Sequence, residues 1–260
     1  MQKAQYDTDL TAAQWQLLEP LLPRPKRRGR PRTPLREIVN ALLYAIKTGC
    51  QWRLLPKTFP PWPTVYHIFR RWSRDAVLAG LNDRLRARVR EQADKDGRPT
   101  AAILDSQTVR SAGHGGAVGY DAGKKTKGRK RFLLVDTLGL VLAVGVCPAN
   151  TPERAGAKEL LEPVLPYFKW LRKLWVDGGY SGPEFAAALQ ELRPKLDVEV
   201  VKRSDDTSGF AVLPRRWVVE RTLGWFMQHR RLVRDYEQHE TSATGWIFTA
   251  MLRLMLRRLA

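Results

Sequence analysis

The chain has 260 residues, 43% of them hydrophobic, with 45 lysines and arginines against 26 aspartates and glutamates and a formal net charge of +19. The apolar share excludes wholesale disorder, and the length suits one large domain or a medium one with a small partner. No run is apolar enough for a secretory h-region or a bilayer span, so a membrane partner is not expected, and so large a cationic excess points to nucleic acid.

Residues 10–23 (LTAAQWQLLEPLLP) place Trp15, Leu18 and Leu22 at helical spacing behind Thr11, a suitable N-cap, and Pro23 stops the helix. A basic loop, RPKRRGRPRTP, follows. A second helix is predicted from Pro34 to Thr48, with Gly49 as its C-cap. After the rigid FPPWP turn, a third helix carries Val65, Ile68, Phe69 and Trp72 on one face, and a fourth starts at Val77. DKDGRPT at 94–100 reads as a domain boundary.

Beyond it the hydrophobic period becomes that of strands. AAILDSQTV is a short buried run, RFLLVDTLGLVLAVGV a hairpin turned near Thr137–Gly139, and KLWVD and DVEVVKR are further strands. Helices are predicted at 154–167, over PEFAAALQEL and from about Arg215. The order βββαβαβα gives a mixed sheet covered by helices. The terminal WIFTAMLRLMLRRLA, with one apolar and one arginine face, reads as a core-packing helix. The expected division is a helical domain at 1–95 with its basic loop at 24–32, an α/β domain at 100–240, and a C-terminal helix at 241–260.

Three acids stand alone in apolar segments: Asp105 in TAAILDSQT, Asp177 in LRKLWVDGGY and Glu220 in RRWVVERTLGW. Such charges are costly unless a cation compensates them. Asp105 and Asp177 are read as strand-end residues, which neighbouring strands would bring side by side. Gly178 and Gly179 remove side-chain bulk beside the second acid. Glu220 shares a helix face with Trp217, Leu223 and Gly224 and is expected to face inward. Hard oxygen donors favour Mg²⁺ or Mn²⁺, and two such ions could serve an in-line phosphoryl transfer. Zinc is not expected, because Cys50 and Cys147 form no CxxC pair and the histidines (His67, His114, His229, His239) are scattered. The two cysteines fit a reducing cytoplasm.

LDSQTVRSA, WVDGGYSG and RRWVVERTLGWFMQHRRLVRDYE resemble the three catalytic blocks of DDE transposases from bacterial insertion sequences, and most nearly the insertion-sequence-five group. LTAAQWQLLEPLLP, GRPR, LREIVNALLYAIKTGCQWRLLP and WPTVYHIFRRW resemble that group's N-terminal region, so the likeness spans about residues 8–240. The resemblance implies an RNase H-like mixed sheet flanked by helices, behind a small all-α DNA-binding domain. It also implies Asp105, Asp177 and Glu220 as the catalytic, metal-holding triad. Related transposases often carry Tyr-x2-Arg-x3-Glu-x6-Lys around the glutamate. Here Arg216 fits, but Leu213 stands at the Tyr position and Met227 at the Lys position, leaving Arg230 and Arg231 as substitutes for the phosphate contact.

KKTKGRKR at 124–131 concentrates Lys124, Lys125, Lys127, Arg129, Lys130 and Arg131 as a candidate phosphate clamp, with a solvated loop as the alternative. Arg28, Arg30 and Arg32 form an extended arm suited to phosphates or a narrow minor groove. Arg70, Arg71 and Arg74 lie on the candidate recognition helix of a helix-turn-helix-like domain. The expected protein binds double-stranded DNA at the terminal inverted repeats of its element, cleaves there and joins the 3′-hydroxyl to target DNA. It would work in the bacterial cytoplasm at the nucleoid, as a homodimer or larger oligomer on DNA. A metal nuclease of the same fold that never joins, and an inactive DNA-binding descendant, are the rival readings.

Overall fold

The computed structural model describes residues 5–23, 33–112, 116–201 and 217–260. Its elements in chain order are α1 (Ala12–Leu18), α2 (Leu35–Thr48), α3 (Trp62–Arg74), α4 (Val77–Gln92), β1 (Ala101–Arg110), β2 (Gly119–Asp121), β3 (Thr126–Asp136) and β4 (Val141–Pro148). There follow α5 (Glu153–Val164), β5 (Lys173–Val176), α6 (Pro183–Leu192), β6 (Asp197–Val200), α7 (Trp217–Met227), α8 (Arg230–Val233) and α9 (Glu240–Leu259). The chain divides into two compact units at Lys95/Asp96 and again at Trp225/Phe226, the residues from Phe226 onward rejoining the N-terminal helices.

The helical unit is built on α9. Thr11 closes a capping box with Gln14 at the start of α1, each side chain accepting the other's backbone N–H. Gly49 ends α2 at φ 72°, where a Cβ would be strained. Val65, Phe69 and Trp72 of α3 and Leu81 and Leu85 of α4 are buried with Trp246, Ala250 and Met251 of α9. Trp246 stacks on Phe69 at 4.3 Å between ring centroids. Gly245 permits that approach, since a Cβ there would lie 2.2 Å from Ser73 Oγ. Removing a buried tryptophan of this kind costs about 3–5 kcal/mol.

Among the described residues, the second unit holds a six-stranded mixed sheet in the order β2-β3-β1-β5-β6, with β4 also paired to β3. β1 runs antiparallel to β3 and parallel to β5, and β5 runs parallel to β6. The short β2, absent from the sequence-based order, pairs with the first residues of β3. Ala102 and Leu104 of β1 and Phe132 and Leu134 of β3 join Ala157, Leu160 and Leu161 of α5 and Phe185 and Leu189 of α6 in one apolar core. Gly156 lets α5 close on the sheet, because a Cβ there would stand 2.3 Å from the Phe132 ring.

The β3–β4 turn anchors α7. Buried Asp136 accepts the N–H groups of Leu138 and Leu140, at 2.9 and 2.8 Å, which fixes the turn with Gly139 at φ 81°. The Thr222 hydroxyl of α7 donates to the Gly139 carbonyl at 2.8 Å, and Arg221 donates to Leu138 O at 3.0 Å.

Candidate active site

Asp105 lies in the middle of β1, not at its end. The strand continues to Arg110 because β3 still pairs with it, from Ala102↔Asp136 through to Arg110↔Gly128. What ends near Asp105 is the pairing with β5, whose last match is Ile103↔Trp175. Asp177 follows β5 directly, so both acids sit two residues past that match, at equivalent positions on adjacent parallel strands. This is the carboxyl edge at which open α/β sheets place ligands.

Each acid is oriented by its own backbone. Asp105 Oδ1 accepts Ser106 N–H at 2.7 Å, and Asp177 Oδ1 accepts Gly179 N–H at 2.8 Å. A Cβ on Gly178 would meet nothing within 4 Å, so the face before Asp177 is open.

Glu220 departs from expectation. Val218, Val219, Thr222 and Phe226 are the residues α7 buries, whereas Glu220 is exposed, on the same side as exposed Trp217 and Gly224. Among the described residues, no three His, Cys, Asp or Glu side chains gather to hold a metal ion. The matched pair of hard oxygen donors, Asp105 and Asp177, fits a divalent cation such as Mg²⁺ or Mn²⁺.

Behind the pair stands a polar network the sequence did not reveal. Glu153, the first residue of α5, accepts from Ser106 Oγ at 2.7 Å and from Tyr180 OH at 3.2 Å through the same carboxylate oxygen. Its other oxygen lies 3.1 Å from Lys130 Nζ, which also donates to Thr151 O at 2.9 Å and stands 4.0 Å from Asp121. Burial, with Glu153, Asp105 and Asp177 nearby, pushes the Tyr180 phenol far above its ordinary value, so it stays a proton donor. The available signals were slight: a serine directly after Asp105, a tyrosine three residues after Asp177, and an acid opening a helix.

The basic candidates separate by burial. Lys124, Lys125 and Lys127 are exposed, but Arg129, Lys130 and Arg131 are buried in β3 and cannot form a solvent-facing clamp. The strand begins at Thr126, inside the run read as a loop, and draws them in; Arg129 Nε donates to Ala117 O at 3.1 Å. Lys125 and Lys127, with Arg110 and Tyr120, line a cleft of about 430 Å³. Arg71 and Arg74 on α3 are exposed, while Arg70 is half-buried and lies over the Tyr66 ring. Arg230 is exposed, but Arg231 is 7% exposed. It is paired with Glu237 at 2.8 Å, donates to Cys50 O, and lies against Trp52 and Trp246, a structural role that removes it from the phosphate-contact set. Arg28, Arg30, Arg32, Leu213 and Arg216 lie outside the described residues.

The sheet, with β1 to β4 joined by antiparallel pairs, β5 and β6 added in parallel, and one acid on β1 matched by another just past β5, fits the RNase H-like domain of the DDE transposase class. A family model described as "Transposase DDE domain" matches residues 96–255, and one described as "Putative transposase of IS4/5 family" matches residues 10–82. The chain belongs to the DDE transposases of insertion sequences. A curated relative, "Insertion element IS402 uncharacterized 16.2 kDa protein" of Burkholderia cepacia, is 35% identical over 112 residues, 40% of this chain and 75% of the relative. No solved structure matches. Among the described residues, no helix is long and apolar enough to cross a membrane.

Proposed function

We propose that this transposase binds the terminal inverted repeats of its own insertion sequence, cleaves at the ends, and joins the freed 3′-hydroxyl to target DNA. The observation that carries this reading is the matched placement of Asp105 and Asp177 past the last β1–β5 pair, in a chain of the DDE family. Both steps are phosphoryl transfers that differ only in nucleophile, so one site serves both.

Asp105 and Asp177 would hold the divalent cation, with backbone N–H groups fixing their carboxylates and the open face at Gly178 admitting a phosphate. The cation, when bound, supplies activation of the attacking oxygen and charge neutralisation at the leaving one. Glu220 would complete the triad and a two-ion arrangement from its exposed position on α7. Exposed Lys124, Lys125, Lys127, Arg71, Arg74 and Arg230 would contact DNA phosphates, and joining two element ends calls for at least a dimer on DNA.

The test is strand transfer. A labelled repeat end, incubated with the protein, Mg²⁺ or Mn²⁺ and a target plasmid, becomes covalently joined to the plasmid. Cleavage without joining would replace this reading with that of a nuclease.

A further inference from the structure

Resting on the reading of Asp105 and Asp177 as the metal-holding pair, we infer that Glu153 is a positioning residue: it ties the two acid-bearing strands together where their backbone pairing has stopped. The last β1–β5 match is Ile103↔Trp175, so no ladder pair holds Asp105 and Asp177 in register. Glu153 supplies the missing connection. One carboxylate oxygen takes the hydroxyl of Ser106, adjacent to Asp105, and that of Tyr180, in the turn after Asp177.

The tie works from behind the sheet. Successive strand residues face opposite sides. Ser106 therefore continues the face of Ala102 and Leu104, which packs on α5, while Asp105 faces away. Ser106 and Tyr180 are 8% and 1% exposed, so their hydroxyls need this acceptor. Lys130, reaching across from β3, compensates the Glu153 charge through its other oxygen. A Cβ on Gly179 would come within 3.9 Å of Glu153 Cγ and 3.0 Å of Asp177 Oδ1, so the glutamate stem and the second acid crowd one glycine. With both oxygens engaged from behind, Glu153 acts through the two aspartates and not as a ligand itself.

The experiment is Mn²⁺ binding to the full chain without DNA, followed by the loss of the free-ion electron paramagnetic resonance signal. Removing partners that orient metal ligands typically weakens metal affinity by about 10–100-fold. Glu153→Ala should show a loss of that order, and so should the double variant Ser106→Ala/Tyr180→Phe, which keeps the Glu153 carboxylate but cuts the tie. Leu142→Ala, on β4, loosens the same apolar core without moving the start of α5 and should keep wild-type affinity. Unchanged affinity in the double variant, or an equal loss in Leu142→Ala, would overturn the proposal. Asp105→Ala separates the two levels: if it fails to weaken Mn²⁺ binding, the reading of the acid pair falls; if it weakens binding while the double variant does not, only the tie falls.

Discussion

Asp105 and Asp177 occupy equivalent positions on parallel neighbouring strands, each two residues beyond the pair Ile103 and Trp175 that ends their ladder. A site placed there is backed by a packed sheet and opens where the strands part. Asp105→Ala and Asp177→Ala should each abolish cleavage and joining while leaving repeat-end binding largely intact, as read by gel shift alongside a cleavage assay. Retained cleavage in either would refute the assignment.

Glu220 is exposed, so its replacement removes no packing. Glu220→Gln should leave the protein within about 0.5 kcal/mol of wild type in stability, the usual range for surface changes, yet eliminate strand transfer. An active Glu220→Gln protein would remove it from the triad.

The packing of α7 on the β3–β4 turn depends on a glycine. A Cβ at Gly139 would fall 2.6 Å from Thr222 Oγ1, at a φ of 81° that disfavours any side chain. Gly139→Ala should cost about 1–3 kcal/mol by overpacking and backbone strain. Thr222→Val removes the hydroxyl that donates to the Gly139 and Val218 carbonyls and should cost about 1 kcal/mol. Chemical denaturation measures both.

Adjacent arginines should behave oppositely. Arg231→Ala strands the Glu237 carboxylate, 8% exposed, and should destabilise by about 3–5 kcal/mol. Arg230→Ala should leave stability unchanged and weaken DNA binding. Replacing Lys124, Lys125 or Lys127 with Ala should lower the log–log salt slope of binding by about 0.9 for each phosphate no longer neutralised. The same substitution at Arg129 should instead reduce stability.

The Thr108 hydroxyl, donating at 2.6 Å, holds the Asp121 carboxyl below the usual carboxylate value, helped by Lys124 N–H and the charge of Lys130. A lowered folded-state value means that this stabilisation is present above the unfolded pKa, about 3.9, and is lost as pH falls through the folded value. The gap in melting temperature between wild type and Asp121→Asn should therefore stay constant above about pH 5 and close below about pH 4. A gap that persists in acid would contradict the Thr108–Asp121 assignment.

The helices were legible in the sequence because Thr11, Gly49 and the Val65–Phe69–Trp72 face carry local signals. The succession of strands and helices along the chain was legible through the alternation of buried runs with helical periods, except for the short β2. Asp105 looked like a strand end because polar residues follow it, but pairing with β3 extends β1 to Arg110, a tertiary fact no local pattern carries. The same strand drew Arg129, Lys130 and Arg131 inside, where charge density alone suggested solvent. Helical spacing placed Glu220 beside Trp217 correctly, but it could not tell which face meets the protein; Val218, Val219 and Thr222 take that role. The Glu153 tie joins residues from three distant segments and leaves no periodic trace.

That Asp105 and Asp177 jointly hold the catalytic cation is tested most directly by replacing Mg²⁺ with Fe²⁺ and generating hydroxyl radicals with ascorbate and peroxide. Radicals cut the polypeptide beside the bound iron. Cuts near residues 105 and 177 that excess Mg²⁺ suppresses and Asp105→Ala eliminates are the predicted result. Cuts elsewhere, or a pattern unaltered by Asp105→Ala, would contradict it.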